Sequence, residues 1–335
     1  MKKLVLMAAA VAAIASCAKV ETVSTSPMQE IAFKTYNPGM TKVTPGYTVD
    51  DNLVMGVSAL WTKSDLKTVE YFNNVKFEKD PEAANWVTNP KQYWPNTGKL
   101  TFAAYAPYYE TAEPANAPSV TTSITDDKVA TITFLTPAEG NVDFVYGEKL
   151  YTSARTANDI AVQLMHAGTR VTFKIGNKSV GYQGIYQVNS IELKNVSSSG
   201  TVTVNYADGS AQIPTFKPSK AKQENISIKK AVAVTDVAAE YGSAFLIPDG
   251  VNENKQVFTV NYSIKAGKDY IECEPITFTN ALGADAKWEQ GKNYVFNIIF
   301  TADEITFTPE VKDWVEVGPT DVTVEPQPQP QLYPE

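Results

Sequence analysis

The residue in this chain whose type and place most clearly specify chemistry is Cys17. Met1-Lys2-Lys3 precedes an almost wholly apolar run from Leu4 to Ala15, and Ile14-Ala15-Ser16-Cys17 closes the run with small residues ahead of a thiol. Two lysines, a short apolar segment and a cysteine behind small residues make a lipoprotein signal. The cysteine takes the lipid, palmitate included, and becomes residue one of the mature protein. The run is about a dozen residues, whereas a bilayer-spanning helix needs about 20, so the segment is expected to be removed.

The remaining reactive residues are sparse. Cys273 is the only other cysteine and His166 the only histidine. Cys273 sits in Tyr270-Ile271-Glu272-Cys273-Glu274, where two flanking carboxylates raise a thiol pKa and work against a nucleophile. A packed or half-buried structural residue is expected there. His166 ends Ile160-Ala161-Val162-Gln163-Leu164-Met165-His166, on the same strand face as Val162 and Leu164. General base catalysis at neutral pH most often uses histidine, but this placement reads as a hydrogen-bonded residue at the end of a buried strand. Asp50-Asp51 and Asp126-Asp127 are acidic pairs without the further ligands of a calcium loop. Gly-x-Ser-x-Gly elbows and Gly-rich phosphate loops are absent from the sequence. The expectation is a protein with no catalytic residues, no metal and no cofactor.

Composition narrows the partners. With 29 Lys+Arg against 37 Asp+Glu the formal charge is −8, two units more negative once Lys2 and Lys3 leave. Such a chain repels phosphate backbones and carries no basic stripe, so nucleic acid is not a partner. A lone Cys273 after processing leaves no internal disulfide, and the fold must rest on core packing and strand ladders.

The elements that hold these residues are strands. Period-two alternation recurs in Ile31-Ala32-Phe33-Lys34-Thr35, Ala130-Thr131-Ile132-Thr133-Phe134, Val171-Thr172-Phe173-Lys174-Ile175 and Val257-Phe258-Thr259-Val260-Asn261-Tyr262. These runs are rich in Thr, Val, Ile, Tyr and Phe and are bounded by turn residues. One helical turn over Asp80–Asn85 is the only competing pattern. The fold class is all-β, with tandem antiparallel β-sandwiches. Tyr151 to Asp159 is small and polar and predicts a boundary. The organisation expected is a signal over 1–17, a tether over 18–28, sandwiches over 29–157 and 158–318, and a Pro-rich tail over 319–335.

A series of strings then appears in order: Tyr93-Trp94-Pro95-Asn96-Thr97-Gly98-Lys99-Leu100-Thr101-Phe102; Val142-Asp143-Phe144-Val145-Tyr146; Met165-His166-Ala167-Gly168-Thr169-Arg170-Val171; Phe245-Leu246-Ile247-Pro248; Trp288-Glu289-Gln290-Gly291-Lys292-Asn293-Tyr294; and Val311-Lys312-Asp313-Trp314. Behind a lipobox, this order resembles the fimbrillin (Mfa-like) family of Bacteroidales lipoproteins, the subunits and anchors of type V pili. The resemblance implies two tandem transthyretin-like sandwiches and display at the outer membrane through the lipid on Cys17. It also implies polymerisation with other pilin subunits by strand donation, after a protease removes the first strand. An opened sandwich exposes unpaired backbone and an apolar slot, and an extended segment satisfies both.

Pattern assigns the parts. Ile31, Phe33 and Thr35 form the removable strand, or an ordinary permanent one. Family processing is usually at arginine, but the first arginine here is Arg155. Lys42, and less favourably Lys34, are the candidate cleavage sites; an uncut strand would suit an anchor or a tip subunit. Val315, Val317, Val322 and Val324 are donor-strand candidates, the alternative being a closing strand of the chain's own sandwich followed by a proline tail. Trp61, Tyr108 and Tyr109 lie near turns, and an exposed aromatic platform there would suit a second reading: a lipoprotein that binds a surface glycan or a host receptor.

Overall fold

The structure is a computed structural model that describes residues 28–35, 53–83, 85–110, 119–124, 130–136, 142–178, 185–219, 224–248, 257–279, 287–301 and 305–313. Cys17, Lys42, both Asp–Asp pairs and the four donor valines lie outside these residues.

Among the described residues there are strands and no helix. In chain order come β1 (Phe33–Thr35), β2 (Met55–Thr62), β3 (Thr68–Lys79), β4 (Trp86–Val87), β5 (Lys99–Ala106), β6 (Ser119–Ile124), β7 (Ala130–Thr136), β8 (Val145–Gly147), β9 (Tyr151–Ala154), β10 (Ile160–Val162) and β11 (Leu164–His166). Then follow β12 (Thr169–Asn177), β13 (Tyr186–Val196), β14 (Gly200–Ala207), β15 (Ser210–Ala211), β16 (Thr215–Pro218), β17 (Glu224–Ala233), β18 (Ala239–Leu246), β19 (Val257–Ala266), β20 (Asp269–Glu272), β21 (Ile276–Thr279), β22 (Lys292–Phe300) and β23 (Ile305–Asp313). The helical turn expected at Asp80–Asn85 is a loop. There the Asp80 N–H donates to the Asn85 carbonyl (2.9 Å) and the Asp80 carboxylate accepts from the Glu82 N–H (2.8 Å). Asp competes for nearby backbone N–H groups and favours such turns over a helix interior.

The first sheet runs β10-β1-β4-β3-β2-β5-β8-β11, with β9 also on β5. Its two ends, β10 and β11, are separated only by Gln163, so the path returns to the segment on which it began. Tyr151 fixes that corner: its hydroxyl donates to the Gln163 carbonyl (2.9 Å) and accepts from the Gln163 N–H (2.7 Å). The strand pairs enclose one core, with Ile31, Phe33, Phe77, Trp86, Trp94 and Phe102 all buried in it. Most pairs are antiparallel, as expected, but β1–β10 and β12–β22 are parallel. Both are made by segments far apart in sequence, which return to a neighbouring position in the same direction.

Strand β5 is buried on both faces. Leu100, Phe102, Ala104 and Ala106 face the first core, and Ala103 and Tyr105 face a second core. That second core is completed by Val120, Ile132, Phe134, Val202, Val204 and Tyr206 of the sheet β15-β14-β7-β6. Burial on two sides explains why Leu100–Ala106 reads as a nearly continuous apolar run. Asn73 and Asn74, at the register shift between β2 and β3, tie the layers together. The Asn73 carboxamide oxygen accepts from Ser58 (2.8 Å) and from Thr122 of β6 (2.6 Å), while Asn74 accepts from the Tyr105 hydroxyl.

A third core, including Phe173, Phe258, Phe296 and Phe300, lies between the sheets β18-β12-β22-β23 and β17-β13-β19-β20. The first two cores share strand β5 and form one body, and the third core forms another. Strands β10 and β11 complete the first sheet, and the hairpins of 200–218 return to pair β14 with β7. Residues 155–159 are the turn from β9 to β10, and the passage between bodies is Ala167–Gly168. The chain crosses between the two bodies three times: 166 to 169, 196 to 200 and 218 to 224.

Tyr105, Tyr146, Tyr151 and Tyr206 crowd the first two cores, and burial pushes all four phenols above their ordinary value. An acid whose folded pKa is raised stabilises the fold fully below the unfolded pKa, here near 10, and loses that contribution as pH rises past it. Unfolding free energies from urea titration should therefore fall above pH 10, with a slope approaching about 1.4 kcal/mol per pH unit for each phenol that stays protonated in the fold. Tyr206→Phe should reduce this slope by about one phenol. An unchanged slope in that variant would contradict the assignment.

Candidate functional site

The site with a definite geometry is the slot that holds β1. The strand is three residues long and lies between β10 and β4, with Phe33 facing Ile160 on one side and Trp86 on the other. Beside its ladder, the Ile31 N–H donates to the Gln92 carbonyl (2.8 Å), the Trp94 N–H to the Gln29 carbonyl (2.8 Å) and the Ile160 N–H to the Ala32 carbonyl (2.9 Å). Side chains add to this hold. Ile31 and Phe33 are both 0% exposed, and burial of each is worth about 1.5–3 kcal/mol.

The Phe33 pocket is aromatic. Its ring meets Phe77 edge-on at 4.9 Å and Phe102 edge-on at 5.2 Å, and Trp94 meets Phe102 at 5.6 Å. Trp86 is fixed by its indole N–H to the Leu53 carbonyl (2.9 Å), and Tyr71 by its hydroxyl to the Tyr93 carbonyl (2.6 Å). Removing β1 would leave this slot apolar inside and unpaired along both edges. On the strand's outward side is a cleft of about 690 Å³, lined by Ala32, Glu78, Asp80, Asn85 and Asp159 among others. Glu30 at its rim pairs with Lys91 at 2.6 Å, an exposed contact that raises the Lys91 pKa through the hydrogen bond. Lys34 is exposed, and its backbone lies in the ladder opposite Ala161.

A family model described as fimbrillin-like matches residues 41–314, most of the chain. The chain belongs to the fimbrillin-like family. The match begins after β1. Among solved structures this fimbrillin-like chain is similar to a fimbrial protein from Bacteroides vulgatus, at 16% identity and a TM-score of 0.55, over 86% of this chain and 100% of that one. It is also similar to two proteins provisionally described as cell adhesion proteins. The one from Bacteroides ovatus is 16% identical with a TM-score of 0.55, over 88% and 100% of the two chains. The one from Bacteroides uniformis is 14% identical with a TM-score of 0.51, over 87% and 99%. At these identities the likeness is one of fold. No curated protein matches the chain.

The other sequence-derived candidates of this fimbrillin-like protein do not converge on the slot. His166 is buried and its Nδ1 lies 2.9 Å from the Asp143 carboxylate. Its backbone carbonyl accepts from Gln290 (3.0 Å), whose amide also donates to the Tyr146 hydroxyl (2.8 Å). The histidine thus sits at the seam between bodies, at a strand end. Cys273 is half-buried, with its thiol toward the Ile271 carbonyl at 3.8 Å. No group of three or more His, Cys, Asp or Glu side chains among the described residues could hold a metal ion.

The three aromatic residues named as a platform are held as follows. Trp61, Tyr108 and Tyr109 are all half-buried. Trp61 donates its indole N–H to the Thr97 carbonyl (2.8 Å) and packs edge-on against Tyr71. Tyr109 packs on Phe134 at 5.7 Å. The Tyr108 N–H bonds the Val54 carbonyl, and Val54 lies seven residues from Trp61 along the β2 segment, roughly 20 Å. Trp61 thus packs against the first core and Tyr109 against the second.

What the sequence missed is the pairing partner of β1. Ile160 and Val162 alternate as any strand does, and only the return of the sheet onto itself places them beside Phe33.

Proposed function

We propose that this fimbrillin-like protein is a non-catalytic, structural or adhesive component of a surface pilus, held to the outer membrane by lipid on Cys17. In this reading it joins other subunits by exchange of the first strand. The observation that carries the reading is the mismatch within β1. Its ladder is very short while Ile31 and Phe33 are completely buried, so one displaced segment uncovers a preformed apolar slot flanked by two strand edges. Such a slot takes an extended segment from a neighbour through main-chain pairing and side-chain pockets. Thr35 is the last residue of the strand to be removed. Lys42 is the favoured scissile residue, because the backbone at Lys34 is itself paired with β10. The valines at 315, 317, 322 and 324 are the segments offered to a neighbour's slot.

A second reading has its own observation. The chain contains no arginine before Arg155, which favours an anchor or tip subunit that keeps its first strand. Reading the N-terminal residue of protein taken from sheared fibres and from outer membranes separates the two. A start at Val43 identifies a processed subunit, and a lipidated Cys17 an anchor or tip. Protein found in neither fraction would overturn both. Cys17→Ala is expected to move the protein from largely membrane-bound to largely released, followed by fractionation and immunoblotting; continued pelleting with membranes would refute the lipid anchor.

A further inference from the structure

The slot beneath β1 is specific about what fills it, and this inference rests on the strand-exchange reading above. Its two pockets, as the present occupant shows, take a large aliphatic side chain and, two residues on, a full aromatic ring. Ile31 and Phe33 leave no exposed surface, and the Phe33 ring is met edge-on by Phe77 and Phe102 from two sides. Between the pockets the outward position is Ala32, at the wall of a cleft whose charged side chains are Glu30, Glu78, Asp80, Asp159, Lys79 and Lys91.

The chain's own C-terminal tail does not meet these demands. From Trp314 to Glu335, its alternating apolar pairs are Val315 with Val317 and Val322 with Val324. Its two aromatic residues, Trp314 and Tyr333, have Lys312 and Gln331 two positions before them and Glu316 and Glu335 two positions after. No register in either direction therefore places an aliphatic and an aromatic side chain in the two pockets together. A valine in the Phe33 pocket leaves a void between rings that cannot close on it. The first pair also brings Glu316 to the position of Ala32, against the carboxylates of a cleft with four acids and two lysines.

We propose that this slot selects its donor by pocket size, accepting a segment of the form large aliphatic, small, aromatic, and that it rejects the tail of a second copy of this chain. Residues 314–335 of a second copy are thus not the segment that fills it.

The test uses the mature chain carrying an inserted protease site at residues 41–46, nicked so that the first strand stays bound without a covalent link. Labelled peptides compete for the slot in denaturant mild enough to leave the body folded, and release of the native strand is measured. A peptide of residues 27–37 should enter. The same peptide with Phe33→Val should compete about 30-fold less well. The tail peptide 313–326 should compete at least about 100-fold less well, and Val315→Ile with Val317→Phe should restore much of the loss. A wild-type tail peptide that competes within about tenfold of the native strand would overturn the selectivity and leave strand exchange standing. Failure of the native peptide itself to enter would overturn strand exchange, and the selectivity with it.

Discussion

Replacing Phe33 with alanine is expected to destabilise the protein by about 3–5 kcal/mol, the range for removing a buried aromatic side chain from a packed core. The effect should lie at the high end for its site. The ring makes two edge-on aromatic contacts, each worth about 0.5–1.5 kcal/mol beyond its buried area, and the pocket walls belong to strands fixed elsewhere, with Phe77 in β3 and Phe102 in β5. The strand's ladder spans only three residues. Loss of the ring should therefore loosen the strand locally before the body unfolds. Hydrogen exchange at the amides of Ile31 and Ile160, which donate to Gln92 and Ala32, should quicken more than exchange in β12 or β22. Urea titration measures the first effect and exchange the second. A cost below about 1 kcal/mol, or uniform exchange across both bodies, would show that the backbone holds the strand and would remove the argument for a side-chain-filled slot.

Gly56→Ala is expected to cost about 3 kcal/mol for the opposite reason. Gly56 faces Tyr105 across the β2–β5 ladder, and a Cβ at Gly56 would lie 2.2 Å from the ring carbon Cζ of Tyr105. The ring covers the glycine and cannot swing aside, because it is buried and its hydroxyl reaches Asn74 and, at 3.4 Å, the Tyr109 carbonyl. Overpacking of this kind typically costs about 1–3 kcal/mol, and a displaced hydroxyl adds the loss of its buried hydrogen bonds, about 1–3 kcal/mol. Adding Tyr105→Leu should recover part of the loss, since the smaller side chain vacates the contested volume. A near-neutral single variant, or a double variant whose losses simply add, would contradict this contact.

The all-β class was legible in the sequence because alternation of Thr, Val, Ile, Tyr and Phe constrains each segment on its own. The first strand was legible for the same reason, from Ile31 and Phe33 standing alone between polar stretches. The assignment of strands to bodies was not. Val202, Val204 and Tyr206 alternate like the strands around them, and alternation says that one face is buried without saying against what. The segment 200–218 therefore reads as part of the second half, although its apolar face packs on Ile132 and Phe134. At Arg155–Asp159 small polar residues serve the turn from β9 to β10. The passage at Ala167–Gly168 is only two residues long and gives no compositional signal. The packing of Trp61 on Tyr71 and of Tyr109 on Phe134 was not legible, because proximity to a turn says nothing about the ring packed beneath.

Three covalent ties join the two bodies, where beads on a string would have one. A tensile load applied across the seam is shared among all three, and one pair of them leads into β14, which is held by its ladder with β7. In a fibre built from such units, bending would concentrate at the joints between neighbours, and each unit would act as a stiff link.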